Sequence, residues 1–75
     1  MIVVAITMIN WYSINVPTED DAGVFVIVHD LQYGNSGGDY VKLKLRSGEI
    51  VYVNRDKVEY ITVYKDNVEV KKWVI

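Results

Sequence analysis

An all-β fold, a small antiparallel barrel or sandwich of five to six strands, is what this 75-residue chain predicts. Three observations carry that expectation. Val, Ile, Tyr and Thr dominate the sequence, and these residues suit a pleated, half-buried surface. Turn-forming residues punctuate the chain about every 8–12 residues, the spacing of small barrels and sandwiches. The segment VKLKLR alternates apolar and basic residues with period two, whereas no segment reads as a convincing helix.

Length limits the domain count to one, spanning residues 1–75. A chain this short buries only about 60–65% of the surface its unfolded form exposes, so its core is marginal without reinforcement. No cysteine is present, which closes the disulfide route, and a single histidine, His29, cannot build a structural zinc site. No metal and no cofactor are therefore expected. Hydrophobic residues make up 51% of the chain, more than one small inner face can hide, so exposed apolar surface and a homo-oligomer are expected.

The first strand is expected over residues 2–10, continuing bent towards Ile14, and it is apolar on both faces. That opening run lacks the basic leader of a secretory signal and falls short of the roughly 20 residues that span a bilayer, so a cytoplasmic protein is expected. The stretch VPTEDDAG breaks the strand, because Pro17 has no N–H to donate and three successive acids belong in water. GVFVIVHDL, residues 23–31, reads as the second strand. YGNSGGDY follows as a pliable connection. It lacks the glycine spacing and the lysine of a phosphate-binding loop, and Asp39 would repel a phosphate.

In VKLKLR, Val41, Leu43 and Leu45 share one face and Lys42, Lys44 and Arg46 the other. Ser47 and Gly48 suit a two-residue turn, which would place Leu43 opposite Tyr52 and turn Ile50 and Tyr52 inward. Asn54 can cap a short 3₁₀ turn over residues 55–57, with Val58 returning to the core. A strand, one short turn and a strand resemble the end of SH3-like and Sm-like barrels in general shape. The chain lacks the aromatic and acidic signature of peptide-binding SH3 domains and the second glycine motif of Sm-like rings, so neither family is assigned. The last hairpin turns at Asp66 and Asn67, which places Tyr60 opposite Trp73.

Candidate chemistry is sparse. Ser36, His29 and Asp30 could form a triad on paper, but neighbours on a strand point to opposite faces, so no catalytic residue is assigned. Glu19, Asp20 and Asp21 lack the alternating ligands of a calcium loop and read as a solvated loop or a contact for a basic partner. The stripe Lys42, Lys44 and Arg46 could follow a phosphate backbone if aromatic side chains shared its surface. Tyr60, Thr62, Tyr64, Lys71 and Trp73 form an expected partner or self-interaction face, since Tyr and Trp dominate binding hot spots. A core face covered by the first strand is the plainer account of the same residues.

Charge divides along the chain. Residues 1–40 hold five acids and no Lys or Arg, and residues 41–75 hold eight bases against five acids, a net of +3. Such a dipole would steer association if the halves occupied different faces, and would vanish if the strands interleaved. The expected function is a non-catalytic interaction protein that binds or inhibits a larger protein, with a phage or mobile-element origin that no residue carries. A single-stranded RNA or DNA binder is the alternative. A ring that holds a small molecule or nucleotide between subunits is the third.

Overall fold

A computed structural model of the chain describes residues 1–34, 38–45 and 47–74. In chain order the elements are β1 (Ile2–Met8), β2 (Ser13–Thr18), α1 (Asp21–Tyr33), β3 (Tyr40–Lys44), β4 (Ile50–Asn54), a 3₁₀ turn (Arg55–Lys57), β5 (Val58–Lys65) and β6 (Val68–Val74). The fold is mostly β, as the composition indicated. Among the described residues it has six strands that close no barrel, and residues 21–33, within which a strand was expected, form a helix. One antiparallel sheet has the order β2-β1-β5-β6, and β3 and β4 form a separate two-stranded ribbon.

Residues 23–31, expected as the second strand, belong to α1. Val24, Ile27, Val28 and Leu31 are its buried residues, at the i, i+3, i+4, i+7 spacing of one helix face. Phe25 and Val26 interrupt that pattern in the sequence, yet both are exposed. The β-branched residues cost a helix only tenths of a kcal/mol each, whereas each buried aliphatic side chain contributes about 1.5–3 kcal/mol. Burial therefore overrides propensity.

Both helix ends are held by identifiable groups. Asp20, with extended backbone, accepts the Gly23 N–H on its carboxylate at 2.9 Å, so this acid of the expected loop is an N-cap. Gly34 (φ +85°) donates its N–H to the Asp30 carbonyl at 2.6 Å. No basic residue lies in the last turn of α1. Arg55, from the 3₁₀ turn, takes that place: its Nε donates to the Leu31 carbonyl at 3.1 Å, and its guanidinium also donates to the carbonyl of Gln32.

The core lies where α1 meets the large sheet and the ribbon. Val4, Ile6, Leu31, Val41, Val53 and Ile61 are its most deeply buried members. β1 runs antiparallel to both β2 and β5. The first strand thus does not bend on to Ile14; it ends at Met8, and Ile14 lies in β2 opposite Ile6. Acidic-half strand β1 is bonded to basic-half strand β5, and Lys65 pairs with Asp21 at 3.0 Å, so the charges of the two halves interleave. Among the described residues, no helix is long and apolar enough to cross a membrane.

Two registers differ from those read in the sequence. Leu45 N–H donates to the Glu49 carbonyl at 2.7 Å, and Gly48, with φ +91°, donates to Leu45 at 2.9 Å. The connection is therefore three residues long, and Leu43 faces Val51 while Lys42 faces Tyr52. Ile50 and Tyr52 become exposed, and Val53 turns into the core. In the last hairpin, Asp66 (φ +50°) and Asn67 (φ +67°) form the expected turn, and both are left-handed as a tight hairpin requires. The register then slips between Val63 and Tyr64, so Trp73 pairs with Ile61 and not with Tyr60. Val70 is the extra residue, which reverses the facing of everything after it.

The 3₁₀ turn is formed as read: Asn54 accepts the Asp56 N–H at 3.1 Å, and Val58 is buried. Replacing Leu31 by Ala should cost about 2–5 kcal/mol of unfolding free energy in urea titration. Replacing Asp20 by Ala should cost about 1 kcal/mol. An unchanged midpoint in both variants would show that α1 does not anchor the core.

Candidate functional site

Turn 9–12 and the solvent face of the ribbon form the most aromatic exposed surface. The turn is tight. Met8 N–H donates to the Tyr12 carbonyl at 2.7 Å, and Trp11 N–H donates back to Met8 at 3.0 Å. Ile9 N–H donates to the Lys57 carbonyl at 2.8 Å, which ties the turn to the 3₁₀ segment. Trp11 has φ +70°, a left-handed conformation that costs a bulky residue about 1–2 kcal/mol, and it is 86% exposed. A strained backbone that holds a tryptophan in water gains nothing for the core.

The ribbon supplies the rest. Tyr40, Lys42 and Lys44 alternate outward along β3, opposite Asn54, Tyr52 and Ile50 of β4. Because the register differs from the expected one, Tyr52 stands beside Lys42 on the same face. Tyr12, Tyr40, Tyr52, Ile9 and Lys57 line a shared depression of about 500 Å³. Ile9, Tyr12, Tyr40 and Tyr52 are each more than half exposed.

The expected interaction face is divided by the sheet. Tyr60, Thr62 and Tyr64 lie on the side of the large sheet away from the helix, along a trough of about 490 Å³ floored by Ala5 and Thr7. Thr62 is itself buried, and Lys72 lies over the Tyr60 ring at 4.1 Å. Lys71 and Trp73 project from the other side, where Lys71 Nζ sits 4.8 Å from the Trp73 ring centroid and Trp73 packs against the core. One added residue at Val70 thus separates a set that strict alternation had united.

Other expected positions fall as follows. Lys42 and Lys44 are exposed on the ribbon, and Arg46 and Ser36 lie outside the described residues. Asp20 caps α1, Asp21 pairs with Lys65, and Glu19 is exposed just before them. His29 is on the solvent side of α1, with Nδ1 3.9 Å from the adjacent Asp30 carboxylate. Among the described residues, no group of three or more His, Asp and Glu is placed to hold a metal.

Sequence reading missed Trp11, Tyr12, Tyr40 and Tyr52 as a group. The available signal was Asn10–Trp11–Tyr12, an Asn beginning a turn before two large rings; the Asn10 side chain accepts the Tyr12 N–H at 3.2 Å. No known protein family, curated protein or solved structure matches the chain. Replacing Trp11 by Gly should leave stability within about 1 kcal/mol, because relief of the left-handed strain offsets the entropy cost of glycine. A loss above about 2 kcal/mol in thermal or urea unfolding would show that the ring packs structurally.

Proposed function

We propose that the chain is a non-enzymatic interaction domain that binds, and thereby can inhibit, a larger protein. Its contact surface is formed by Trp11, Tyr12, Tyr40 and Tyr52. The observation that supports this reading is Trp11, held exposed in a left-handed turn next to Tyr12, which shares a depression with the exposed rings of Tyr40 and Tyr52. Tryptophan and tyrosine bury large areas with little loss of rotamer entropy, and they dominate the energetics of binding interfaces. The flanking lysines Lys42, Lys44 and Lys57 would form a basic rim that favours an acidic surface on the partner.

A second reading rests on one specific observation, the pairing of Lys42 with Tyr52 and the run Tyr40–Lys42–Lys44 on the same face. Basic residues interleaved with rings suit a single-stranded nucleic acid, in which phosphates meet lysines and bases stack on aromatic faces. Against it stand the net charge of −2 and the small number of bases.

Both readings can be tested with one pair of variants. Affinity capture from the native host should recover a protein with the wild-type chain, and Trp11→Ala or Tyr52→Ala should lose it by tenfold or more, with unchanged circular dichroism. Capture that survives both substitutions would overturn the assignment of this surface. A labelled oligonucleotide that binds at low salt, and weakens steeply as salt rises, would favour the second reading.

A further inference from the structure

The solvent side of α1 has no part in the surface just described, and it has a geometry of its own. Phe25, His29 and Tyr33 follow one another at four-residue intervals. Their ring centroids are 6.2 Å apart between Phe25 and His29 and 4.8 Å apart between His29 and Tyr33. Phe25 and Tyr33 are each 71% exposed, and Val26 is 55% exposed. Rows at this interval are the ridges by which helices pack, and the neighbouring row, with Ala22 and Val26, is lower and forms the groove such a ridge needs.

We infer that this face is the contact between two copies of the chain, packed helix to helix about a two-fold axis at His29. The row is palindromic in kind: a ring, His29, a ring. Reversal about His29 sets each Phe25 against the partner's Tyr33 and brings the two histidines together at the axis, as an isologous interface requires. The helices then run antiparallel, so their end-to-end dipoles attract. Four rings exposed to this degree represent roughly 430–710 Å² across the pair, at about 150–250 Å² for each whole ring. Val26, Ala22 and the Lys71–Trp73 pair beside the helix bring the contact towards the roughly 1,000 Å² that a specific interface needs.

The alternative route to self-association, strand on strand, is obstructed at both edges of the large sheet. Pro17 lies within β2. The register slip at Val70 and the adjacent Lys71 and Lys72 guard β6. That leaves side-chain packing through the exposed rings of α1 as the open route on this flank.

The absence of cysteine makes the test direct. Light scattering at tens of micromolar should give the mass of two chains. His29→Cys should be joined into a covalent dimer by a short bismaleimide, whereas Asn67→Cys, on the far turn, should not. Phe25→Asp should halve the scattered mass without moving the thermal midpoint by more than a few degrees. Should that variant fail to fold, Tyr33→Glu serves in its place. A wild-type monomer at 100 µM would overturn the inference. So would a dimer that persists in both charge variants, or one that His29→Cys fails to cross-link.

Discussion

Everything in this fold depends on one buried stripe, the four aliphatic side chains that α1 presents at Val24, Ile27, Val28 and Leu31. Among the described residues, the large sheet and the ribbon share no hydrogen-bonded strand pair, so strand pairing does not join them. Apolar contact with a third element must do so. The stripe supplies it, meeting Val4, Ile6 and Ile61 from the sheet and Val41, Leu43 and Val53 from the ribbon in a single cluster. With no cysteine and therefore no disulfide to assist, the stability of the chain rests on how well this cluster excludes water.

Arg55 reinforces that arrangement from outside. It follows β4 and precedes β5, so one side chain links the end of the ribbon, the start of the central strand and the carbonyls at the end of α1. Gly34 suits its position for a related reason: a Cβ there would lie 3.3 Å from the Arg55 guanidinium, and the backbone φ of +85° disfavours any other residue. Hydrogen bonds to a charged donor are stronger than neutral ones, and this set seals a helix end that has no basic residue of its own.

The apolar surplus is distributed according to the same logic. Sheet edges are made unreceptive by Pro17 on one side and by the bulge and lysines on the other, while exposed rings collect on the 9–12 turn, the ribbon and the outer side of α1. On the large sheet, side chains and not backbone edges are left to make contacts. That arrangement gives selectivity, because ring surfaces need a shaped counterpart whereas an open strand edge accepts many.

Features that depend on neighbours in the chain were legible in the sequence. The mostly β character, the Asp66–Asn67 turn, the Asn54-capped 3₁₀ turn and the return of Val58 to the core all follow from local backbone preferences and period-two patterning. The candidate site was not legible, because its assembly depends on register. A three-residue connection in place of two exposed Tyr52 beside Lys42, and a single extra residue at Val70 moved Trp73 to the opposite side of the sheet from Tyr60. Composition and local pattern thus determined on their own that this is a small, mostly β, cysteine-free chain with more apolar surface than it can bury. Tertiary structure decided that residues 21–33 are helix and which rings meet. Only packing rewards the helical stripe over β propensity, and in a strand a shift of one residue exchanges the two faces.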